Sequence, residues 1–489
     1  MKKMLIKTGI IAGALCAVLT VPALAQLMPE SAVKDAKEAT VSYNLNHWAQ
    51  TYIDGLSKNY NAKHIFEGVN LDAAVDVEVF HELIKLVIDE KYDGKPDAMT
   101  REAVVHELAK IWAEKTGKNL DKVPVIKMIV YSDTNEVDTR YNHSITVAYM
   151  KGIAKGKGNG VFDPKAIVSY GEMAALVSNT YKAIEDELKT RVEQSGTIFG
   201  YAPFSIGDID SDGIFELAYI ERVETEIPSA RLKVYNFKDN SCKLEYETEF
   251  QLMCYPDSVL IGKVNEKQNG IFVELAVGAH SAITEIVVKD EGEYVRVIKS
   301  KDEYDFSQTF KPYPLYSQDI NSDGIIEVGV QSEPLEAEGY AMVAMPWINN
   351  WYQWDGNGGL KKVMEEYSSY SEGYRFIIPE SWSGKFAIDT EADENYEIKS
   401  VHFIYIGSNK QRAELMTIHH ISKEDWIQQK QDFEANDQNY VIIGENDRNM
   451  LVVELKQNDE NLSEENRKEY GQMLLNQADI YERFIMQNN

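Results

Sequence analysis

Residues 149–181, YMKGIAKGKGNGVFDPKAIVSYGEMAALVSNTY, contain the pattern that decides the fold of the N-terminal third. It predicts the end of one helix, a glycine-rich turn, the triplet Phe162-Asp163-Pro164, and a second helix that begins at Ser169. Ser169 and Glu172 have capping-box spacing, in which each side chain accepts a hydrogen bond from the other residue's free backbone N–H. Such a cap is sufficient by itself to account for both residues.

Two chemical motifs can be excluded in the same third. Gly156-Lys157 is followed by glycine, whereas a phosphate-binding loop requires Ser or Thr at that position. HELIK and HELAK resemble the zinc-protease motif, but Lys85 and Lys110 replace its second histidine. The two pentapeptides lie instead in repeated amphipathic helices, and the second is predicted to begin after an N-cap at Thr100.

Residues 40–190 resemble the S-layer homology family, roughly as three repeats. The family shows a Gly-x-x-x-Gly turn, Phe-x-Pro and a Thr-Arg-Ala-Glu motif that opens a helix. The matching elements here are Gly156 to Gly160, Phe162 to Pro164 and Ser169 to Glu172, while NHWAQTYIDGL (46–56) resembles a repeat opening and YSDTNEV (131–137) the start of the last repeat. The resemblance implies noncovalent binding to secondary cell-wall polymers.

The resemblance also implies a set of polymer-binding residues: Trp48, Glu78, Thr100, Arg101, Ser169 and Glu172. Arg101 is the arginine that matches the family motif, and its guanidinium can pair bidentately with the carboxylate of an anionic sugar. Asp76 and Tyr170 stand at the other two arginine positions, and Ala103 replaces one motif glutamate. The competing interpretations are a core position for Trp48 and a purely capping role for Ser169 and Glu172.

The middle third contains two acidic loops, GDIDSDGIFELAYI (207–220) and QDINSDGIIEVGV (318–330). Ca²⁺ prefers six to eight oxygen ligands, and alternate residues of a tight turn direct their oxygens to one centre. The predicted ligands are Asp208, Asp210, Asp212, the carbonyl of Ile214 and Glu216 in the first loop, and Asp319, Asn321, Asp323, the carbonyl of Ile325 and Glu327 in the second. A solvated turn without metal is the alternative for each loop.

These loops resemble the calcium loops of FG-GAP/VCBS-type β-propeller repeats. A related unit lies between them, but Asn265, Lys267 and Asn269 replace its acids, so we expect no ion there. The three units recur about every 55 residues, which suggests a repeated four-stranded sheet. Three units are fewer than the ~4–8 blades of a closed propeller.

We therefore expect a multidomain protein. A signal peptide (1–25) precedes degenerate helical repeats (26–195), a β-rich propeller-like region (196–370) and a small α+β domain (371–489). The basic, apolar and small-residue stretches of the first segment have the layout of an export signal. Two cysteines remain beyond it, Cys242 and Cys254, and their pairing is left open.

The net charge of −29 disfavours nucleic acid as a partner, and no later apolar run is long enough to span a bilayer. We expect an exported protein, noncovalently associated with the bacterial cell wall, whose partner is a secondary cell-wall polymer or a peptidoglycan-linked glycan. Its β domains would be stabilised by Ca²⁺ and serve in binding or structure. The alternative is a wall-associated hydrolase with an unrecognised active site within residues 196–489.

Overall fold

The computed structural model describes residues 47–126, 131–197, 199–224, 226–250, 253–298, 308–394, 397–457 and 459–486. The expected signal peptide (1–25) lies outside the described residues. The chain forms two compact units, one up to Leu188 and one from Lys189 onward. No helix in the described part of the chain has the length and apolar character needed to cross a membrane.

The first unit is helical. Its helices are α1 (Gln50–Tyr60), α2 (Lys63–Phe66), α3 (Val77–Val87), α4 (Arg101–Lys115), α5 (Asn142–Met150) and α6 (Tyr170–Gln194), of which α6 continues into the second unit. The core is apolar, and Phe80, Leu108 and Trp112 are fully buried in it. Helices of this pattern were expected from the 3.6-residue spacing of the apolar positions.

One extended segment joins the N-termini of three helices. Ser169 forms an antiparallel bridge with Ala74, just before α3, and Ile167 forms one with Thr100, just before α4. The backbone N–H of Arg101 donates to the carbonyl of Ala166 at 2.8 Å. The starts of α3, α4 and α6 therefore converge, which brings residues from distant parts of the sequence together.

The second unit consists mainly of four antiparallel sheets. The first sheet contains β1 (Phe204–Gly207), β2 (Glu216–Val223), β3 (Ser229–Asn236) and β4 (Lys243–Phe250); the second contains β5 (Tyr255–Asn265), β6 (Gln268–Val277), β7 (Ser281–Asp290) and β8 (Glu293–Arg296). The third contains β9 (Val328–Ser332), β10 (Ile348–Trp354), β11 (Leu360–Ser369), β12 (Tyr374–Ile377) and β18 (Phe484–Met486). The fourth contains β13 (Phe386–Ala392), β14 (Ile398–Ile406), β15 (Arg412–Ser422), β16 (Asn439–Glu445) and β17 (Asn449–Leu455).

Successive sheets share apolar cores. One core contains Ala218 of the first sheet and Val273 of the second, and another contains Phe272 of the second sheet and Val328 of the third. A larger core between the third and fourth sheets contains Phe376 and Phe403. The protein is thus multidomain, with helices followed by antiparallel sheets as expected. None of the described sheets closes on itself, so the propeller-like closure is not seen.

The two acidic loops lie at equivalent turns, one before β2 in the first sheet and one before β9 in the third sheet. Gly207 pairs with Glu216 across the first acidic loop, and Gln318 pairs with Glu327 across the second. At the equivalent turn of the second sheet, between β5 and β6, Asn265 pairs with Gln268, so a tight hairpin replaces the loop. The substitution of the acids in that unit therefore accompanies a shorter turn.

Glycine is required where neighbouring sheets come closest. A Cβ atom on Gly207 would lie 2.6 Å from Cγ2 of Ile261 in the second sheet. A Cβ atom on Gly262 would lie 2.8 Å from Cγ1 of Ile326, beside the third sheet. Real Cβ atoms do not approach neighbours this closely, because the interior is already packed like a crystal.

The range 371–489, which was expected as a separate domain, contributes β12 and β18 to the third sheet. Its helices are α7 (Trp426–Ala435), α8 (Glu464–Met473) and α9 (Gln477–Arg483). The apolar spacing of residues 463–486 predicts one continuous final helix, but a new N-cap at Asn476 separates α8 from α9. Cys242 and Cys254 are not joined by a disulfide, and Cys254 is buried.

Candidate functional site

A cavity of about 440 Å³ lies among α1, α4, α6 and the glycine-rich turn of the helical unit. Its polar and aromatic lining is formed by Trp48, Tyr52, Arg101, Lys155, Lys157, Glu172 and Asn179. Ile153, Ala175 and Leu176 supply apolar wall. This volume lies within the range of small-ligand sites in proteins.

Arg101 reaches the cavity because it is the first residue of α4, whose N-terminus is held against the extended segment before α6. Only 5% of the residue is exposed. Its guanidinium lies 5.4 Å from the ring centroid of Phe162, and its Nε is buried and has no hydrogen-bond partner in the described part of the chain. Burial lowers the pKa of Arg101, and the nearby Glu172 opposes that shift.

Glu172 lies opposite Arg101, in the first turn of α6. Its Oε1 is 3.5 Å from Nη1 of Arg101 and 3.0 Å from Nζ of Lys157. Its Oε2 accepts a hydrogen bond from the backbone N–H of Ser169, while the Glu172 N–H donates to the Ser169 hydroxyl. The expected capping box is therefore formed, and Glu172 also faces the cavity.

The glycine-rich turn positions Lys157. Gly156 has a φ of +82°, and a Cβ there would lie 2.6 Å from the carbonyl oxygen of Val161, so only glycine fits. Asp133 secures the far end of the turn by accepting hydrogen bonds from the backbone N–H groups of Phe162 and Asp163. The Phe-x-Pro element thus serves to fix the turn beside the cavity.

Aromatic side chains form one rim of the cavity. Trp48 is 58% exposed, and its ring contacts Tyr52 edge to face at 6.5 Å between centroids. A large exposed aromatic beside a cavity offers a flat apolar surface of the kind on which rings can stack. Trp112 is instead fully buried, and its indole N–H donates to the carbonyl of Ala183.

The remaining polymer-binding candidates lie outside this cavity. Thr100 and Ser169 are the N-cap residues of α4 and α6, and Glu78 is exposed on α3. Asp76, at one of the other arginine positions, caps α3 by accepting from the N–H of Val79. The structure therefore gathers Trp48, Arg101 and Glu172 in one place and leaves the other three apart.

Sequence reasoning missed Tyr52, Lys157 and Asn179 as lining residues. Lys157 was considered only as part of a rejected phosphate loop. A usable signal was present, because a lysine inside a glycine-rich turn that precedes a capped helix lies next to the helix N-terminus. Asn179 lies seven residues beyond Glu172 on α6, and that spacing places both on one face of a helix.

The first acidic loop already contains cationic partners. Asp208, Asp210 and Glu216 place carboxylate oxygens within 4.8 Å of one another. Lys238 lies 3.0 Å from Asp210, and Lys289 lies 2.9 Å from the same carboxylate oxygen. Although burial alone would raise it, the pKa of Asp210 is lowered by hydrogen bonds from these two lysines.

The closing residue of that loop, Glu216, is fully buried. Its carboxylate accepts hydrogen bonds from the Ile209 N–H at 2.8 Å and from Nδ2 of Asn236 at 3.1 Å. Burial, and then repulsion by the three aspartates of the loop, raise the pKa of Glu216 to about 9. Asp212 also pairs with Lys238, at 2.7 Å, whereas the Ile214 N–H donates to Asp212 within the turn.

The second acidic loop has the same backbone pattern but a neutral partner. Nε2 of Gln353 donates to Asp323 at 2.8 Å and to Glu327 at 2.7 Å. Among the described residues no lysine or arginine forms an ion pair with this loop. Burial raises the pKa of Glu327 to about 7 and also raises that of Asp319. Asn321 and Ile325 take part in the turn through hydrogen bonds to and from Asp323.

Comparison with known proteins identifies part of the helical unit. A family model described as S-layer homology domain matches residues 130–174, which include the glycine-rich turn, Lys157 and Glu172. S-layer homology domains bind cell-wall polymers, and their presence indicates a cell-surface protein associated with the cell wall. No curated protein matches the chain.

Proposed function

We propose that the cavity around Arg101 binds an anionic secondary cell-wall polymer and so anchors the protein noncovalently at the cell surface. The observation that carries the proposal is the guanidinium of Arg101, which lines a cavity with an aromatic rim and whose buried Nε has no hydrogen-bond partner among the described residues. A buried donor without a partner is costly, and a ligand carboxylate would satisfy it. Trp48 and Tyr52 would contact the sugar rings.

The test is co-sedimentation of the full chain with purified wall sacculi, with sacculi stripped of secondary polymers as the control. Arg101→Lys and Arg101→Met should each weaken pelleting at least tenfold, because neither restores the forked donor set. Arg140→Ala is the matched control, since Arg140 belongs to the same unit and its side chain is 62% exposed. Pelleting that survives loss of Arg101, or that persists on stripped sacculi, contradicts the proposal.

We further propose that Ca²⁺ stabilises the β unit chiefly through the second acidic loop. The supporting observation is the contrast in neighbours: the first loop contacts Lys238 and Lys289, whereas the second contacts Gln353. A lysine ammonium competes with a divalent ion for the same carboxylates. Extracellular calcium modules often bind at only ~10⁻⁴–10⁻³ M, so the test requires millimolar Ca²⁺.

The hydrolase alternative has one cluster to consider, on the fourth sheet. Ser400 Oγ lies 2.8 Å from Nε2 of His402, and Nδ1 of His402 lies 2.5 Å from Glu414, which are distances found in catalytic triads. Ser400 is buried, however, and its hydroxyl donates to Glu391 at 3.1 Å. That carboxylate would repel an oxyanion formed beside the serine, so this cluster does not favour a hydrolase.

A further inference from the structure

Two cations of the cavity already share an internal anion. Nη1 of Arg101 and Nζ of Lys157 both face Oε1 of Glu172, at 3.5 and 3.0 Å. The other oxygen of Glu172 is held by the N–H of Ser169 at 3.2 Å. The carboxylate is therefore tethered at the helix N-terminus, in the position that a ligand carboxylate would have to share.

The pairing of Arg101 with Glu172 is incomplete. A separation of 3.5 Å is longer than the ~2.7–2.9 Å of a good charge-assisted hydrogen bond. Within the residues that the structure describes, Nε of Arg101 has no hydrogen-bond partner, although the residue is only 5% exposed. Glu172 thus neutralises the guanidinium without using its forked donor set, which leaves Arg101 able to bind a second carboxylate.

Carboxylates offset only part of the positive charge around the cavity. The lining contains three cations, Arg101, Lys155 and Lys157, and one carboxylate, Glu172. Asp163 also pairs with Lys157, at 3.0 Å. An incoming anion is therefore attracted to the cavity but must be accommodated beside Glu172, and two neighbouring carboxylates repel each other.

We infer that Glu172 is a built-in competitor for the anionic group of the wall polymer, and that it limits the affinity of the Arg101 cavity. This inference rests on the proposed wall binding. Glu172 then has two roles. It caps α6, and its carboxylate pairs with Arg101 and Lys157 and so lowers their affinity for the polymer. Weak binding by each protein molecule follows, with ready exchange on the wall.

The experiment is sacculus co-sedimentation of the full chain carrying Glu172→Gln. Glutamine keeps an oxygen that can accept from the Ser169 N–H but removes the charge, so binding should tighten about five- to tenfold. Ser169→Ala is the matched control, because it removes the hydroxyl half of the capping box and keeps the Glu172 charge. It should not tighten binding. Thermal unfolding of each variant verifies that it is folded.

Arg101→Met combined with Glu172→Gln tests whether the gain acts through Arg101. The competitor role requires the gain to vanish in the double variant, whereas a general effect of reduced negative charge would persist. Glu172→Ala is the second variant if the glutamine form is unstable, and it should also tighten binding.

The outcomes separate the two proposals. Unchanged or weaker binding by folded Glu172→Gln overturns the competitor role and, if weaker, makes Glu172 a positioning residue for Arg101. Wild-type protein that does not pellet, or pelleting that is insensitive to Arg101→Met, overturns wall binding itself. In that case Glu172→Gln would have no polymer affinity to change.

Discussion

The two acidic loops share a sequence pattern and a fold but differ in what neutralises them. Glu216 and Glu327 each accept a hydrogen bond from a side-chain amide near the end of the neighbouring strand. The donor is Asn236 in the first sheet and Gln353 in the third sheet. Lys238 lies two residues after the amide of the first sheet, whereas an aspartate lies two residues after the amide of the third sheet. The first loop is thus neutralised by lysine side chains, whereas the second has a neutral amide as its partner.

The difference teaches that the shared pattern, Asp-x-Asp-x-Asp-Gly in the first loop and Asp-x-Asn-x-Asp-Gly in the second, specifies the turn but does not specify what neutralises its carboxylates. In both loops the aspartate oxygens accept hydrogen bonds from backbone N–H groups of the turn, as in Asp208 to Gly213 and Asp319 to Gly324. The cations that neutralise the first loop come from residues outside the motif, such as Lys289 on β7.

The largest expected effect comes from removing that distant lysine. Lys289→Met should lower the free energy of unfolding of the β unit by about 3 kcal/mol, because Asp210 and Glu245 lose a nearly buried partner. Lys361→Met, at an exposed position of the third sheet, is the control and should change stability little. Urea denaturation measures both. A negligible cost for Lys289→Met would show that the two loops are equivalent after all.

A smaller effect tests the contact between the first sheet and the second sheet. Gly207→Ala should destabilise by about 2 kcal/mol, because the added methyl overlaps Ile261 and the core must shift. Gly339→Ala in the third unit has no atom within 4 Å of its new Cβ and should be neutral or slightly stabilising. Equal midpoints in thermal unfolding would rule out the tight approach of the sheets.

Ca²⁺ should raise the free energy of unfolding by a smaller amount, and this gain should depend on one of the two loops. At 10 mM Ca²⁺ the unfolding free energy should rise by about 1 kcal/mol, as expected for millimolar affinity. Asp323→Asn should abolish this gain, while Asp212→Asn in the first loop should retain most of it. Scanning calorimetry with Mg²⁺ as the control ion measures the shift. Loss of the gain on changing Asp212 alone would reverse the assignment of the site.

The smallest effect concerns carboxylates that are neutralised by a titratable histidine instead of by lysine or a metal ion. The hydrogen bond with Glu414 raises the pKa of His402, with Glu391 and Lys456 also facing the ring. A raised folded pKa means that this contribution is complete below about pH 6.5 and is lost as the pH rises through the folded value. His402→Gln should therefore cost about 0.5 kcal/mol at pH 6 and less at pH 9.

Unfolding of wild type and His402→Gln across that pH range measures the difference. His280→Gln, at an exposed imidazole, should show no such trend. A cost that grows with pH would mean that His402 contributes in its neutral form instead.

Local patterns in the sequence predicted local structure well. The capping box of Ser169 and Glu172, the glycine-rich turn and the order of strands around both loops follow from residues within a few positions of each other. Cavity membership was partly predictable, since Arg101 and Trp48 were found by resemblance to a family. Lys157 was missed because its contact with Glu172 depends on how the turn folds back.

Long-range partners were not predictable. Lys289 reaches Asp210 from 79 residues further along the chain, and nothing in either local pattern indicates this contact. The ending of α8 was missed because apolar spacing continues through Leu474 and Leu475, although Asn476 starts a new cap. Strand β18 is three residues long and indistinguishable from the end of a helix in sequence.

The return of β18 to the third sheet has a consequence for the order of events during synthesis. Phe484 pairs with Phe376, so the edge of the third sheet stays open until the whole of the fourth sheet has left the ribosome. Contacts so distant in sequence form slowly, because a long loop must close first. The first two sheets can assemble as they emerge, whereas an unfinished chain exposes the edge of β12 and the apolar surface around Phe376. Chaperones that shield nascent chains would act at that stage.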